Sequence, residues 1–314
     1  MTAAHPWLPQ TPCDAGCIAE GAPPTARREV AALRVVLRAT MVVMLATALP
    51  VLALPFPGRP VAQRVYCRLL LRCVGVRIRL SGTPIRNLPG VLVVSDHVSW
   101  LDVLTVGALV PAGRWRCRPL SFVARADMAG SLAIRVLARI VTAIPIDRAS
   151  LRGLPAVVDT VAEKLRAGHT VVAFPEGTTW CGLAGGRFYP AMFQAAIDAG
   201  RPVQPLRLHY HHRDGRVSTV PAYVGDETLL CSIRRVLTAP FTEARIDVEP
   251  LQLPDSDRRE LARRCRGVVR AGAGHQRRRR GQAPVSWAGH GVPRPRRHHP
   301  DAPRRHRGDD DCVE

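Results

Sequence analysis

Apolar residues dominate the chain from Val30 onward, and no charged residue occurs between Arg38 and Arg59. A run of this length is enough to cross a hydrocarbon core roughly 30 Å thick. Three prolines interrupt its second half: Pro50, Pro55 and Pro57. Because proline breaks helices, a hairpin bent within one leaflet fits the pattern as well as a spanning helix. The pattern predicts an apolar membrane-associated segment at 29–58, either a transmembrane helix or such a hairpin, after a flexible leader at 1–28.

Between residues 59 and 254 the pattern changes to short β-rich runs separated by amphipathic stretches. Six runs predict strands, at 76–80, 91–94, 120–124, 142–146, 170–174 and 203–208. Apolar residues at helical spacing from Leu154 to Leu165 predict a helix, and Gly168 ends it. Since strands alternate with helices, residues 59–254 are expected to form one α/β domain with a mixed, mostly parallel sheet flanked by helices.

The last part of the chain, residues 255–314, differs sharply in composition from what precedes it. It begins with one predicted helix that has Leu261, Cys265 and Val268 on one face. From Ala271 onward there is no Leu, Ile, Phe, Tyr or Met, and arginine runs of this kind cannot bury enough apolar surface to fold. We predict a terminal helix followed by a disordered Arg-rich tail, although a shifted reading frame would produce the same abrupt change.

The formal net charge is +20, and nearly all of the positive charge is arginine, because Lys164 is the only lysine. Such a charge favours anionic partners such as phosphate headgroups and anionic membrane lipids. No recognised nucleic-acid motif or interleaved aromatic residues accompany it, so no specific nucleic-acid partner is predicted.

The nine cysteines do not form a recognisable framework. Three residues separate Cys13 from Cys17, but no second pair at similar spacing follows along the chain. Structural zinc sites usually combine two such pairs, so the sequence predicts no metal site.

The strongest chemical signal follows the second predicted strand, where Asp102 comes five positions after His97. On a regular helix five positions correspond to a rotation of about 140°, so the two side chains would point in different directions. They can meet only if His97 lies in a strand-to-helix turn and Asp102 lies in the first turn of the helix. The carboxylate would then bind one ring nitrogen and leave the other as a base. Alone, such a pair predicts a structural hydrogen bond more than a reactive site.

Three further segments lie at the ends of predicted strands. Arg148 follows the strand at 142–146, a Phe-Pro-Glu-Gly-Thr sequence occupies 174–178, and a Val-Gln-Pro sequence opens the strand at 203–208. Strand ends are where α/β folds place their functional sites. Together with His97 and Asp102, these segments predict one site built from several strand ends.

In this order and spacing, the four blocks resemble those of the lysophospholipid and glycerol-phosphate acyltransferase family, which includes bacterial 1-acyl-sn-glycerol-3-phosphate acyltransferases. The similarity covers roughly residues 60–250. The family's His-x4-Asp motif, often written HX4D, is matched by His97 and Asp102, and its Phe-Pro-Glu-Gly-Thr block by residues 174–178. The arginine that ends the family's second block is matched by Arg148.

This resemblance implies an acyltransferase that moves a fatty acyl group from acyl-CoA or acyl carrier protein to the sn-2 hydroxyl of lysophosphatidate, giving phosphatidate in phospholipid synthesis. It implies catalytic roles for His97 and Asp102 and no cofactor. Substrate-binding roles follow for five residues: Arg125, Arg148, Glu176, Gly177 and Thr178. The implied partners are membrane lipids, the lysophospholipid acceptor and the acyl donor. The implied location is the cell membrane, with the catalytic domain on the cytoplasmic side.

Some positions depart from the family's pattern. Asp96 precedes His97 where asparagine is common, and Thr179 stands where a basic residue often follows the Phe-Pro-Glu-Gly-Thr block. Arg125 occupies a position that is usually lysine, and it could supply the missing positive charge. Two alternatives therefore stay open. One is an acyltransferase for another lysolipid, such as lyso-ornithine lipid, and the other is a non-enzymatic membrane protein that binds polyanions.

Overall fold

The structure is a computed structural model. It describes residues 8–20, 28–54, 56, 58–83, 88–109, 120–125, 142–147 and 151–279. Contacts divide the chain into two compact units, 1–272 and 273–314. The first unit contains the sheet and the predicted site, and the described part of the second is the end of the last helix.

A seven-stranded sheet forms the centre of the first unit. Its strands are β1 (Val76–Gly82), β2 (Leu92–Ser95), β3 (Leu120–Arg125), β4 (Ala143–Ile146), β5 (Thr170–Ala173), β6 (Val203–His211) and β7 (Thr242–Val248). They are arranged in the order β1-β7-β6-β2-β5-β3-β4, and all neighbours are parallel except β6 and β7. The predicted α/β fold with a mixed, mostly parallel sheet is therefore confirmed.

Helices cover both faces of this sheet. The described residues contain α1 (Ala15–Glu20), α2 (Arg28–Ala46), α3 (Leu49–Ala53), α4 (Arg59–Cys73), α5 (Leu101–Gly107), α6 (Leu154–Arg166), α7 (Ala191–Asp198), α8 (Leu229–Thr238) and α9 (Arg258–Arg279). Side chains of β2 alternate between the two faces, as a pleated strand requires. Val93 packs into a core with α4, α5 and α8, whereas Leu92 and Val94 pack into a second core with α6, α7 and α9.

Strand β7 was not among the predicted strands, because charged residues at alternate positions conceal it. Glu243, Arg245 and Asp247 are all on this strand, yet it lies inside the sheet between β1 and β6. The charges are paired: Arg245 Nε donates to Glu243 at 2.9 Å, and Asp247 forms an ion pair with Arg207 of β6. Pairing of this kind lets a buried strand keep charged side chains.

The apolar segment at 29–58 contains α2, α3 and the turn that joins them. The predicted apolar membrane helix is not found: among the described residues, no helix combines the length and the hydropathy needed to cross a bilayer. Helix α2 is instead attached to the domain by arginines. Arg34 Nη1 donates to the carbonyl of Thr238 at 2.6 Å, and Arg38 Nη1 donates to the carbonyls of Leu237 and Ala239 at 2.9 and 2.7 Å.

Residues 8–20, which fall in the predicted flexible leader, pack against the domain. Cys13 is buried, and the Thr219 hydroxyl donates to the carbonyl of Ile18 at 3.0 Å. The partners of this segment are distant in sequence, Thr219 being 201 positions from Ile18, which is why local composition predicts a leader without structure. The domain boundaries themselves remain a prediction.

The predicted terminal helix is present as α9, and it continues beyond Ala271 to Arg279. Leu261, Cys265 and Val269 are buried against the sheet, which places Val269 rather than Val268 at the centre of the contact. The rest of the predicted tail lies outside the described residues.

Candidate active site

His97 and Asp102 meet where β2 ends and α5 begins. His97 lies in the turn after β2, and Asp102 lies in the first turn of α5, as the five-residue spacing requires. His97 Nδ1 is 2.8 Å from Asp102 Oδ2. This contact fixes the imidazole with Nδ1 toward the carboxylate, so that Nε2 is the ring nitrogen able to take a proton.

The Asp102 carboxylate is held on both of its oxygens. Its side chain is fully buried, and Oδ2 also accepts from the backbone amides of Val98 and Ser99 at 2.7 and 2.8 Å. The Tyr210 hydroxyl, from β6, donates to Oδ1 at 2.7 Å. Burial and the neighbouring carboxylate raise the pKa of Tyr210 well above its usual value, so the phenol stays a donor. With these bonds in place, the carboxylate cannot turn away from His97.

A stacking contact on one face of the His97 ring also fixes its orientation. It stacks on Phe174, with the ring centroids 4.2 Å apart and the ring planes 15° from parallel. The backbone on either side is pinned as well: the Trp180 amide donates to the carbonyl of His97 at 2.8 Å, and the Tyr223 amide donates to that of Val98 at 3.0 Å. The imidazole therefore has a defined orientation before any substrate binds.

Glu176, predicted to bind substrate, lies beneath the turn and holds its backbone. The side chain is 2% exposed. One oxygen accepts from the His97 amide at 3.0 Å, and the other accepts from the Gly186 amide at 2.7 Å. Since both oxygens bind backbone amides, the carboxylate ties the His97 turn to the loop that contains Gly186.

A second buried carboxylate, Asp96, lies beside Glu176. Burial raises the pKa of Asp96 to about 7, and burial together with the charge of Asp96 raises the pKa of Glu176 to about 8. Helix α9 supplies the positive charges nearby: Arg270 Nη2 is 3.9 Å from Glu176 Oε1, and Arg266 Nε donates to the Gly186 carbonyl at 2.9 Å. Two acids with raised pKa values beside His97 keep a proton near the site at neutral pH.

Replacing Asp96 with asparagine should flatten the dependence of stability on pH. The folded chain holds protons on Asp96 and Glu176 that the unfolded chain releases near pH 4, so the contribution of these two acids to the free energy of unfolding falls as pH rises from about 4 to about 8. Asp96→Asn removes one of these acids and its repulsion of the other. We expect the loss of stability between about pH 5 and pH 8 to shrink by on the order of 1–3 kcal/mol in urea unfolding.

The matched control is Asp159→Asn, which changes an exposed carboxyl on α6. It should leave the dependence on pH as it is in the unaltered protein. An Asp96→Asn variant whose stability declines just as steeply over this range would show that Asp96 is charged in the folded chain.

Among the remaining predicted residues, those that the structure describes lie along the same edge of the sheet. Arg125 ends β3, next to the end of β5, and Arg148 follows β4 but lies outside the described residues. Gly177 has a φ of 72°, which favours glycine, and a Cβ there would lie 2.5 Å from Cγ of Pro9. Thr178 is half-buried beside it. The structure joins His97, Asp102 and Glu176 by direct contacts. The catalytic roles of His97 and Asp102, and the substrate-binding roles of the other predicted residues, remain predictions.

Several residues of the site were missed by sequence reasoning. Tyr210, Gly186 and Arg270 contact Asp102 or Glu176 from segments 10 to 108 positions away. Tyr210 gave a weak signal, as a tyrosine on a strand that is buried at every position except His209. The other two gave none, because a loop glycine and a helix arginine are common everywhere.

Comparison with known proteins agrees with the resemblance to acyltransferases found in the sequence. The profile of the family described as Acyltransferase matches residues 77–209. A lyso-ornithine lipid O-acyltransferase from Pseudomonas aeruginosa is 31% identical over 216 residues, which is 68% of this chain and 79% of that protein. A 1-acyl-sn-glycerol-3-phosphate acyltransferase from Neisseria meningitidis is 32% identical over 158 residues, or 50% of this chain and 58% of that protein.

Among solved structures, a 1-acyl-sn-glycerophosphate acyltransferase from Thermotoga maritima covers 78% of this chain and 98% of its own, at 17% identity and a TM-score of 0.47. The similarity to the Pseudomonas aeruginosa protein extends over most of both chains. The chain therefore belongs to the acyltransferase family and is an acyltransferase enzyme.

Proposed function

We propose that this enzyme transfers a fatty acyl group from the thioester of acyl-CoA or acyl carrier protein to a hydroxyl of a lysolipid, with His97 as the general base. The observation that carries the proposal is the 2.8 Å contact between His97 Nδ1 and the buried, fully hydrogen-bonded Asp102. An alcohol is a weak nucleophile near pH 7, so its attack on a thioester needs a base within hydrogen-bond reach.

The reaction proceeds in two proton transfers at His97 Nε2. As the lysolipid oxygen bonds to the thioester carbonyl carbon, Nε2 takes the hydroxyl proton, and the carbonyl π electrons move to its oxygen. The tetrahedral intermediate then collapses, the carbon–sulfur bond breaks, and the imidazolium returns its proton to the leaving sulfur. Asp102 stabilises the imidazolium between the two transfers, as the carboxylate does in a Ser-His-Asp triad.

For the acceptor we propose lysophosphatidate, acylated at its sn-2 hydroxyl to give phosphatidate. Its phosphate requires fixed cations. Arg125 ends β3, and along the sequence Arg148 comes two positions after β4, the strand that pairs with β3. A guanidinium binds phosphate through two parallel hydrogen bonds, which suits this role. We infer that Thr178 adds a hydroxyl contact to the same headgroup, and that Glu176 and Gly177 shape the turn that receives it.

A second acceptor, lyso-ornithine lipid, is favoured by Thr179. Its hydroxyl donates to the Tyr223 carbonyl, so this position supplies neither a positive charge nor a free hydroxyl to a phosphate. Ornithine carries an amine as well as a carboxylate, and therefore requires less positive charge than a phosphate does. The similarity to the Pseudomonas aeruginosa lyso-ornithine lipid acyltransferase supports the same choice.

An acceptor panel separates these possibilities. Purified full-length protein in lipid vesicles would be supplied with radiolabelled acyl-CoA or acyl carrier protein and with equal amounts of lysophosphatidate or lyso-ornithine lipid. We expect phosphatidate as the main product, and we expect Arg148→Ala to raise KM for lysophosphatidate at least about tenfold with a smaller change in kcat.

The control is the same Arg148→Ala variant with lyso-ornithine lipid, for which KM should change little. Acylation of lyso-ornithine lipid alone would overturn the proposed acceptor and leave acyl transfer intact. Absence of product with every lysolipid and both donors would overturn the proposed reaction.

We also propose that the enzyme works on the cytoplasmic side of the cell membrane, docked through the apolar surface of α2–α4. Large apolar side chains on α2 are unusually exposed, including Val36 at 61%, Val43 at 62% and Met44 at 66%. Exposed apolar side chains grouped with basic ones are typical of a surface that rests on anionic lipid. Flotation with anionic vesicles should bring the enzyme up with the lipid, and a Val43→Asp, Met44→Asp variant should float less.

A further inference from the structure

Three cysteine thiols converge next to the candidate active site. Cys13 and Cys17 come from the N-terminal segment, and Cys181 comes from the loop that follows the Phe-Pro-Glu-Gly-Thr block. Their sulfur atoms all lie within 4.8 Å of one another. Cys13 and Cys181 are buried and Cys17 is half-buried, and none of the three forms a disulfide.

Hydrogen bonds fix the backbone around the first two cysteines. The Cys13 amide donates to the Thr11 hydroxyl at 3.2 Å, and Asp14 Oδ1 accepts from the amides of Gly16 and Cys17 at 2.9 and 3.4 Å. Fixed contacts around the ligands orient them in metal sites.

We propose that Cys13, Cys17 and Cys181 bind a zinc ion as three thiolate ligands, with a water molecule as the fourth. Three residues between the first two cysteines is a spacing that structural zinc sites use. Zinc–sulfur bonds of about 2.3 Å in a tetrahedral arrangement place the sulfur atoms roughly 3.8 Å apart. Separations below 4.8 Å reach this value with small side-chain rotations. Thiolates favour zinc over magnesium or calcium, which prefer oxygen ligands.

Binding of the ion joins the N-terminal segment to the active-site loop. Cys181 directly follows Trp180, whose amide donates to the carbonyl of His97 at 2.8 Å. On the other side, Pro9 lies against Gly177 at the turn of the Phe-Pro-Glu-Gly-Thr block. A zinc ion held between these segments would hold residues 8–20 against that turn. The inference does not depend on which acceptor the enzyme uses.

Cobalt titration of the reduced full-length protein tests the site, because Co²⁺ replaces Zn²⁺ and its thiolate complexes absorb in the near ultraviolet. We expect a sulfur-to-cobalt charge-transfer band that saturates at about one equivalent and disappears when zinc is added. Replacement of Cys13, Cys17 or Cys181 by serine should weaken cobalt binding at least about tenfold. Cys73→Ser is the matched control, since Cys73 is half-buried on α4 and outside the cluster, and it should bind as the unaltered protein does.

Circular dichroism of each variant establishes that it is folded. If replacing Cys13 or Cys181 prevents folding, Cys17→Ser is the decisive variant, because Cys17 is the most accessible of the three cysteines. Limited proteolysis gives a second measurement: zinc should slow cleavage within residues 8–20 of the unaltered protein and not of Cys17→Ser. Absence of the band, a band unchanged in Cys17→Ser, or a disulfide between Cys13 and Cys181 in protein purified with zinc and without a reductant would each overturn the proposal.

Discussion

Replacing His97 with alanine is expected to lower kcat for acyl transfer by roughly 10²–10⁴-fold, the range usually contributed by a general base. The alcohol would then have to lose its proton to water, while the thioester still binds. KM for both substrates should therefore change little. Steady-state kinetics with saturating donor, over a range of lysolipid concentrations, measures the two parameters separately.

The matched control is His169→Gln. His169 precedes β5, and because β5 is parallel to β2, this histidine lies at the opposite edge of the sheet from His97. Its replacement should leave kcat within about threefold of the unaltered enzyme. A His97→Ala variant that keeps normal turnover would remove the general base from the mechanism, and a loss confined to KM would assign His97 to binding alone.

The central part of the fold could be predicted because its elements are marked locally. The buried run at 91–94 and the helical spacing from Leu154 to Leu165 each identify one element, since a strand or helix must bury the apolar side chains of its own sequence. Strand β7 was missed for the opposite reason. Its buried position depends on the ion pair between Asp247 and Arg207, a contact made by tertiary structure between distant segments.

The apolar segment at 29–58 shows a different limit of prediction from sequence. Its hydrophobicity suggested a bilayer, but composition does not show where a helix begins and ends or what it packs against. Arg34 and Arg38 bind carbonyl groups at the end of α8. Arginines beside the carboxyl-terminal end of a helix are good partners for its free carbonyl groups, and this contact cannot be read from the sequence of α2.

The residues of the candidate site also divide into those that local sequence can place and those that only the tertiary structure brings together. His97 and Asp102 are five positions apart, so their side chains can meet once His97 lies in a strand-to-helix turn and Asp102 lies in the first turn of the helix, an arrangement that the local sequence predicts. Of their supports, Tyr210 is on β6 and Phe174 directly follows β5, and only the order of strands in the sheet brings them together. The cysteine cluster likewise depends on a distant residue, since Cys181 lies 164 positions after Cys17.

Replacing Asp102 with asparagine should also reduce kcat by roughly 10²–10⁴-fold, although the variant keeps the shape of the site. The amide oxygen can take the place of Oδ2, where it would accept from His97 Nδ1 and from the amides of Val98 and Ser99. The amide nitrogen would then face Tyr210, whose hydroxyl can accept instead of donate. Only the negative charge is lost, so the imidazolium that forms during transfer is no longer stabilised. Pre-steady-state kinetics of the acyl-transfer step measures this loss directly.

Tyr210→Phe is the control that separates charge from geometry. It removes one hydrogen bond to Asp102 Oδ1 and leaves the carboxylate charged. We expect a cost of about 1 kcal/mol in the free energy of unfolding and a decrease in kcat of less than about tenfold. If Asp102→Asn instead retained normal kcat, or if Tyr210→Phe lost as much activity as Asp102→Asn, orientation rather than charge would be the contribution of Asp102. A large loss in Asp102→Asn beside a small one in Tyr210→Phe would show that His97 depends on a fixed anion during acyl transfer.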